Sequence, residues 1–308
     1  MEERLKTGLV GAGVFAGYHA SKIQASEVTD FSGVYDPDFA RAAALAEKHG
    51  AVSFASLDEL LEASGAVIVA SPASTHYETG KRALDAGCHV LMEKPLALTG
   101  AQAFQLAELS EDRGLVLQVG HQERLVCGAL GLFDISEVPV SIEIVRAGPP
   151  SPQGRAMDTS VIWDLMIHDI DLVHALAGGE VSAPNCTGRA ELGEHLDFAE
   201  AQYLVGSTQV KTMASRIAPE HERHMTLTFE NGQIVLDFLS RQITNTTPYN
   251  VAEDLSASVP DPLGQADEMF FAACSGYGAP MITGREAAIG VATAEMLSAL
   301  AIDSKPKS

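Results

Sequence analysis

The chain of 308 residues is poor in the patterns that build disulfide scaffolds and structural metal sites. Its four cysteines are scattered, and none of them forms a Cys-x-x-Cys pair. We therefore expect neither a disulfide framework nor a zinc site of paired cysteines. The chain also has no internal repeat and no low-complexity tract. Hydrophobic residues make up 46% of it, which predicts a globular protein with a sizeable core.

Basic residues are also scarce, with 20 of them against 41 acidic residues, and the formal net charge is −21. Neither half of the chain has a basic patch, so nucleic-acid binding is not expected. The most apolar long segment, residues 161–177, contains five ionisable side chains, which excludes it as a membrane span. The first residues are acidic and do not resemble a signal peptide. These absences favour a soluble, cytoplasmic protein that binds neither nucleic acid nor membrane.

The first 120 residues alternate between short apolar strands and helical patterns. A predicted strand at residues 5–10 is followed by the turn Gly11-Ala-Gly13-Val-Phe-Ala16 and by a helical pattern to about residue 25. The order strand, G-x-G-x-x-G/A, helix is typical of a dinucleotide-binding βαβ unit. The glycines let the backbone approach a pyrophosphate, whose negative charge lies at the helix N-terminus.

Asp36 follows the second predicted strand, 23 residues after Gly13. An acidic residue at this place hydrogen-bonds the adenosine ribose hydroxyls and repels a 2′-phosphate, so it favours NAD over NADP. Two alternatives stay open. The segment Asp36-Pro37-Asp38 is also a good turn and helix start, and Arg41 could hold a 2′-phosphate, which leaves NADP open.

The alternation continues to residue 119 and predicts six strands with five crossover helices, a complete doubly wound domain. The fifth strand, residues 89–92, ends at Glu93-Lys94-Pro95. Ligands of such sheets bind beyond the carboxyl ends of the strands, so Lys94 is placed to contact reacting groups. By itself a Lys-Pro pair is more often a solvated turn.

A loop rich in proline and glycine at residues 147–158 precedes a helical pattern from about Thr159 to Gly178. On an α-helix, Asp164 and His168 lie on one face about 40° apart, and Asp171 shares that face. Buried acids and histidines require partners. The pair is therefore either catalytic or a satisfied core pair, and a zinc site lacks a third ligand group.

After residue 179 the hydrophobic period changes to two, which predicts antiparallel strands. The turns Gly206-Ser207 and Asn231-Gly232 are typical of tight hairpins. A capping box, Thr283-x-x-Glu286, predicts the start of the last helix. Strands are predicted at residues 139–146, 186–191, 197–205, 208–216, 225–230 and 233–240, and closing helices at 264–275 and 284–302.

Taken together, these motifs resemble the glucose–fructose oxidoreductase/inositol dehydrogenase/MocA family. The resemblance implies an α/β fold in two domains. Residues 1–121 would form a Rossmann domain with a doubly wound parallel sheet. Residues 122–308 would form an α+β domain with a large open antiparallel sheet, which carries the substrate site and a homodimer or homotetramer interface. The motifs responsible are Gly11-Ala-Gly13 with Asp36, Ser71-Pro72 with Thr75-His76, Glu93-Lys94-Pro95, and Asp164-x-x-x-His168.

The resemblance implies hydride transfer between a nicotinamide and a hydroxyl-bearing carbon of a sugar, cyclitol or nucleotide sugar. The helix around residues 167–171 resembles MviM-type and UDP-N-acetylglucosamine 3-dehydrogenase-like members, which extends the expected substrates to a UDP-N-acetylhexosamine. His168 would take the hydroxyl proton, Lys94 would stabilise the alkoxide, and Asp164 would orient them. A non-catalytic NAD(P)-binding regulator and an imine or enol reductase are the alternatives.

The remaining site assignments follow the same motifs. Glu93 is expected to reach cofactor ribose hydroxyls, and the peptide bond before Pro95 to be cis. Arg124, Arg146 and Arg155 are candidates for binding a diphosphate. No metal ion is expected. Expected cofactor contacts are Gly11, Gly13, Val14, Phe15, Asp36, Ser71, Pro72, Thr75, His76, Glu93, Lys94 and Gln122, and expected substrate contacts are Lys94, Arg124, Arg155, Asp164 and His168.

Overall fold

The short apolar runs of the first 120 residues form one parallel sheet in the computed structural model, which describes residues 4–150, 159–253 and 259–303. The strand order is β3-β2-β1-β4-β5-β6, so the predicted doubly wound sheet is confirmed. In this order the carboxyl ends of β1 and β4 flank the position where such sheets bind ligands. The strands are β1 (Leu5–Val10), β2 (Thr29–Tyr35), β3 (Val52–Ser53), β4 (Ala66–Val69), β5 (His89–Met92) and β6 (Leu117–Val119).

Five helices connect these strands, and side-chain caps define the start of three of them. Asp38 caps α2, Ser56 caps α3 and Thr99 caps α5, each by accepting from a backbone amide of the first turn. Thr75, just before α4, lies in a short 3-10 turn and donates its hydroxyl to the Pro72 carbonyl at 2.8 Å. The helices are α1 (Val14–Ala25), α2 (Phe39–His49), α3 (Leu57–Glu62), α4 (His76–Asp85) and α5 (Gly100–Arg113).

The chain divides into two units, and the first is discontinuous in sequence. It contains the residues up to 122 together with 261–291, while the second contains 123–260 and the residues from 292 onward. The predicted boundary at residue 121 differs by one residue, but we had expected segment 261–291 in the second domain. Its helix α8 (Pro262–Cys274) buries Phe270 and Phe271 completely in the core beside β1 and β4. This packing attaches the segment to the first unit.

The second unit is built on a seven-stranded sheet in the order β13-β12-β11-β7-β10-β9-β8. Its neighbouring strands are antiparallel except for β7 and β10, which pair in parallel. The expected α+β unit with a large, mainly antiparallel sheet is confirmed. The expected homodimer or homotetramer through this sheet stays a prediction. The strands are β7 (Ser141–Ala147), β8 (Val181–Arg189), β9 (Phe198–Val205), β10 (Thr208–Ser215), β11 (Glu222–Phe229), β12 (Gly232–Asp237) and β13 (Gln242–Asn245).

The short β13 and the first half of β8 were not predicted. In β8 the pairing with β9 shifts register between Ser182 and Asn185, and Ala183 has a positive φ of 48°. Pro184 also lies in this stretch. A proline and a bulge both remove the period-two pattern from which a strand is predicted.

The predicted helix around residues 159–178 begins differently from the expectation. Residues Ile162–Met166 form a π-helical turn in which the Ile167 amide donates to the Ile162 carbonyl, and α7 (Ile167–Ala177) follows. Bonds from i to i+5 change the angle per residue, so the α-helical spacing expected between Asp164 and His168 does not apply. Met166, Ile170 and their apolar neighbours on this segment enter the core of the second unit.

Two more helices complete the described chain. α6 (Glu123–Ala129) opens the second unit, and α9 (Gly284–Asp303) starts among residues of the first unit and ends among those of the second. The predicted capping box of α9 is confirmed, because the Thr283 amide donates to Glu286 Oε2 at 2.9 Å and the Glu286 amide donates to Thr283 Oγ1 at 3.2 Å. None of the described helices has the length and apolar character needed to cross a membrane.

Candidate active site

The turn between β1 and α1 has the shape that a dinucleotide pyrophosphate requires. Gly11 has a φ of +102°, and a Cβ atom there would lie 2.6 Å from the Ala70 carbonyl oxygen. α1 begins with no side-chain cap at Gly13 and no acidic residue in its first turn. Val14 and Phe15, the next two residues, are about half exposed. A close backbone turn with uncapped helix amides fits an anionic phosphate group, so these residues fit the cofactor.

Asp36, which follows β2, stabilises this turn by accepting hydrogen bonds. Its Oδ2 accepts the Ala12 amide at 2.8 Å and its Oδ1 accepts the Asp38 amide at 2.9 Å. The turn role that the sequence left open is therefore present. A carboxylate has further acceptor positions, so the ribose contact stays a prediction. Arg41 donates from Nη2 to the Ala12 carbonyl at 3.1 Å, beside the same turn, and keeps the NADP alternative open.

The segment that follows β5 is held from two sides. The Lys94–Pro95 peptide bond is cis, as expected. His76 contacts the Pro95 carbonyl with Nδ1 at 2.7 Å and the Ser71 carbonyl with Nε2 at 2.9 Å, so it joins this turn to the end of β4. Lys94 is half-buried beside the fixed proline. The cis Pro95 and the contacts of the buried His76 therefore fix the backbone position of Lys94.

Glu93 is buried and contacts a histidine that sequence reasoning missed. Its Oε1 lies 3.0 Å from Nε2 of His19, which comes from α1. On the opposite side of the ring, His19 Nδ1 lies 2.8 and 3.0 Å from the two carboxylate oxygens of Asp267 on α8. A Cβ at Gly120 would lie 2.9 Å from Glu93 Oε1, so only glycine leaves room for this carboxylate. The ribose contact expected of Glu93 stays a prediction.

The His19 ring carries a positive charge. Burial lowers its pKa, but the charges and hydrogen bonds of Asp267 and Glu93 outweigh burial and raise the pKa to about 10. Both ring nitrogens then donate, one to each carboxylate. Because His19 and Asp267 are 248 residues apart, no local pattern could have paired them.

The other cofactor candidates of the first unit lie near the start of α4 and at the end of the unit's first segment, residues 1–122. The hydroxyl oxygens of Ser71 and Thr75 are 2.7 Å apart, beside the exposed Pro72. Both ring nitrogens of His76 already contact backbone carbonyls. Gln122 is half-buried. These positions are compatible with a role in shaping the turn, and their contacts with a cofactor stay predictions.

In the second unit, His168 and Asp164 are half-buried on the helical segment that contains the π turn. Sequence reasoning missed the ion pair between His168 and Glu123, which lies in the first turn of α6. His168 Nδ1 lies 2.9 Å from Glu123 Oε2. No motif singles out this residue, because a glutamate in a first helical turn is an ordinary feature. Among the described residues, no group of His, Cys, Asp and Glu side chains is arranged to hold a metal ion.

The carboxylate of Glu123 also binds two arginines. Its Oε1 accepts from Arg146 Nη1 at 3.2 Å and from Arg223 Nη2. Burial would raise the pKa of Glu123, but the contacts with His168, Arg146 and Arg223 outweigh it and hold that pKa well below its usual value. Glu123 therefore remains a carboxylate at neutral pH.

The arginines expected at a substrate diphosphate already have carboxylate partners where they are described. Arg124 binds Asp171 through Nε and Nη2, both at 2.9 Å, and Arg146 binds Asp169 at distances from 2.6 to 3.2 Å. Asp169 and Asp171 thus pair with other parts of the unit. Arg155 lies outside the described residues, and the substrate contacts of Arg124 and Arg155 stay predictions.

Comparisons with known proteins agree with this architecture. Residues 5–121 match the GFO/IDH/MocA family model, described as an oxidoreductase family with an NAD-binding Rossmann fold. The UDP-N-acetylglucosamine 3-dehydrogenase of Acidithiobacillus ferrooxidans is 33% identical over 241 residues, which cover 78% of this chain and 76% of that enzyme. This chain belongs to that family. It is an oxidoreductase with an NAD-binding Rossmann domain, as the motifs predicted.

Three further comparisons show how much of this chain is similar to other known proteins. A solved structure of the same A. ferrooxidans enzyme matches with a TM-score of 0.91 at 29% identity, over 98% of this chain and 99% of that one. The inositol 2-dehydrogenase of Leifsonia xyli subsp. xyli is 32% identical over 58% of this chain and 55% of that enzyme. The MviM dehydrogenase of Clostridium difficile shares the fold, with a TM-score of 0.79 at 22% identity, over 98% of this chain and all of that one.

Proposed function

We propose that the protein is an NAD-dependent dehydrogenase that acts on a hydroxyl-bearing carbon of a nucleotide sugar, specifically a UDP-N-acetylhexosamine. The observation that carries this proposal is the likeness to the UDP-N-acetylglucosamine 3-dehydrogenase of A. ferrooxidans, which extends over 98% of this chain. The family model covers only residues 5–121, in the cofactor-binding unit. The longer likeness also includes the second unit, where the family carries its substrate site.

The residues of the first unit would hold the cofactor. Gly11, Gly13 and the first residues of α1 would contact the pyrophosphate, and Asp36 would accept hydrogen bonds from the adenosine ribose. An acid in that position favours NAD. Bound at these residues, NAD would supply the hydride acceptor for the substrate carbon.

Three side chains would act on the hydroxyl proton of the substrate and on the negative charge that develops on its oxygen. His168 would accept the hydroxyl proton, since imidazole exchanges protons near neutral pH. Lys94 would stabilise the alkoxide with its positive charge. Asp164 would contact the substrate or orient these groups. The assignments of Lys94 and His168 are tested by substitution.

A UDP-sugar also requires a cationic contact, because the chain carries a formal net charge of −21. Arg124 and Arg155 are the proposed diphosphate contacts, and arginine suits bidentate binding of phosphate. Arg124 would have to bind phosphate while sharing its guanidinium with Asp171. An uncharged cyclitol is the second candidate substrate, which the 32% identity to an inositol 2-dehydrogenase favours.

The proposal is tested by measuring NADH formation with UDP-N-acetylglucosamine, UDP-N-acetylgalactosamine, myo-inositol and glucose. We expect turnover with a UDP-N-acetylhexosamine, and we expect Lys94→Ala and His168→Ala each to lower it by roughly 10²–10⁴. Lys81→Ala, which removes a half-exposed lysine of α4, is the control. Turnover of inositol with none on any UDP-sugar would refute the substrate, and near wild-type turnover in both alanine variants would refute the catalytic roles.

A further inference from the structure

His19 of α1 connects the helix that starts at the Gly11 turn with the segment that follows β5. We infer that His19 is a positioning residue of the cofactor site, which fixes the Glu93 carboxylate where it accepts hydrogen bonds from a cofactor ribose. This inference rests on the proposed function, because it includes the ribose contact that the motifs predict for Glu93. It goes further by naming the residue that sets the position of that carboxylate.

The backbone of Glu93 is fixed by the parallel sheet. Its amide donates to the Val69 carbonyl of β4 at 2.9 Å. The side chain is only 10% exposed, and a Cβ atom at Gly120, just after β6, would lie 2.9 Å from Oε1. The carboxylate therefore lies in a confined space, and its orientation there depends on the side chains that contact it.

His19 makes one of these contacts and is anchored on its other side. Nε2 lies 3.0 Å from Glu93 Oε1, and Nδ1 lies 2.8 and 3.0 Å from the two carboxylate oxygens of Asp267. Because the ring is charged, both nitrogens donate. The side chains of His19 and Asp267 are 1% and 0% exposed, so water competes weakly for these contacts. Asp267 thus sets the rotation of the ring, and the ring sets the position of Oε1.

The charge of the ring explains why Glu93 depends on it. Two buried carboxylates lie on opposite sides of one imidazolium. Without that cation, both carboxylates would lose a charged partner in a buried environment, which is strongly unfavourable. Glu93 would lower this cost by rotating away or by taking up a proton. Either change would weaken it as an acceptor for ribose hydroxyls.

Two substitutions separate the two contacts of His19. The amide nitrogen of asparagine is as many bonds from the backbone as Nδ1 of histidine, and that of glutamine is as many as Nε2. His19→Asn can therefore still donate to Asp267 but loses Glu93, while His19→Gln can still donate to Glu93 but loses Asp267. We expect His19→Asn to raise the dissociation constant of NAD roughly tenfold, as for one lost charge-assisted hydrogen bond, and His19→Gln to raise it roughly threefold at most.

Stability should not follow this order. Asp267 is completely buried and contacts the ring with both oxygens, so losing that contact should cost at least as much stability as losing Glu93. In urea unfolding at pH 7, we expect His19→Gln to be no more stable than His19→Asn. If His19 only stabilised the fold, the less stable variant would also bind NAD more weakly. NAD affinity that is lower in His19→Gln than in His19→Asn would therefore overturn the inference.

A double-mutant cycle shows whether the effect passes through Glu93. We expect Glu93→Ala to raise the dissociation constant of NAD roughly tenfold, and His19→Asn to add little in that background, because no carboxylate is left to position. Isothermal titration calorimetry on the full chain measures these constants without turnover. Equal effects of His19→Asn with and without Glu93 would overturn the inference. His49→Asn is the matched control, since His49 is also buried and contacts Gln24 at the other end of α1.

A measurement on the wild-type protein covers the case in which the His19 variants do not fold. The ¹⁵N resonance of His19 Nε2, assigned through bonds, should shift when NAD is added, because Glu93 would join this nitrogen to the ribose. The same resonance should respond less in Glu93→Ala. A resonance that NAD leaves unchanged in wild type would overturn the inference.

Failure of this inference can be separated from failure of the proposed function. If Glu93→Ala binds NAD as tightly as wild type, the ribose contact and the role of His19 both fail, while the dehydrogenase reaction assigned to Lys94 and His168 stands. If no UDP-sugar or cyclitol is turned over but the cycle behaves as expected, the proposed reaction fails. The positioning role of His19 in NAD binding then stands.

Discussion

The contacts of charged His19 with Asp267 and Glu93 predict that the first unit loses stability as the pH rises from neutral to alkaline. A histidine has a pKa of 6.5 when unperturbed, and the contacts with Asp267 and Glu93 raise that of folded His19 to about 10. A pKa raised in the folded state stabilises the fold fully below 6.5, and this contribution is lost as the pH rises through 10. The pKa of Asp267 is raised too, by burial against the opposing effect of His19.

The magnitude follows from the size of the shift. A difference of roughly 3.5 pKa units corresponds to about 5 kcal/mol, at 1.36 kcal/mol per unit. His19 is 1% exposed, so solvent screening does not reduce this contribution much. Between pH 7 and 9 the free energy of unfolding should fall by roughly 3 kcal/mol. That is a large fraction of the stability of a typical protein.

Urea unfolding followed by far-ultraviolet circular dichroism at pH 7, 8 and 9 would measure this decline. His19→Gln should be less stable than wild type at pH 7 and nearly independent of pH across the range. His49→Gln, in the same unit, should keep the wild-type decline, because burial lowers the pKa of His49 and its titration falls below neutral pH. A wild-type decline that persists unchanged in His19→Gln would refute the assignment of the charge to His19.

Three other outcomes would test the proposed site. Asp36→Ala should narrow a preference for NAD over NADP, and a wild-type preference for NADP of about tenfold, or about 1.4 kcal/mol, would contradict the ribose assignment. Lys94→Ala and His168→Ala should each lower turnover by roughly 10²–10⁴ while the dissociation constant of NAD, measured by titration, changes little. Arg124→Ala should raise KM for a UDP-sugar and leave KM for NAD unchanged, and added salt should weaken binding of the UDP-sugar. Equal KM values for the UDP-sugar in wild type and Arg124→Ala would remove Arg124 from the diphosphate site.

Local chemistry explains the parts of the fold that the sequence predicts well. The turn at Gly11 needs a positive φ and a close backbone approach, which few residues other than glycine tolerate. Thr283 and Glu286 form a capping box because both partners lie within one helical turn. The doubly wound parallel sheet follows from the alternation of buried strands and helices, which is typical of α/β folds. Each of these features depends on residues close together in the chain.

Other features depend on contacts that sequence spacing cannot show. The π turn at Ile162–Met166 has the same apolar periodicity that predicted an α-helix, and the two differ only in which carbonyl each amide bonds. Segment 261–291 returns to the parallel sheet after seven strands of another unit, so its order in the chain suggested the wrong domain. Amphipathic pattern identifies the buried face of α8 but not the core against which that face packs.

Asp267 and Glu123, the two carboxylates that contact histidines and that no motif revealed, illustrate why a site is harder to predict than its motifs. The sequence identified Glu93, Lys94 and His168, whose spacing is part of a family pattern, but it did not identify the carboxylates that fix two of the site's histidines. Asp267 hydrogen-bonds His19 and Glu123 lies in ion-pair contact with His168, and each acid lies on a helix that the motifs do not include. Buried charge requires such partners on energetic grounds, so a buried motif residue predicts that a partner exists without naming it. The partner is then specified only by the packing of distant helices.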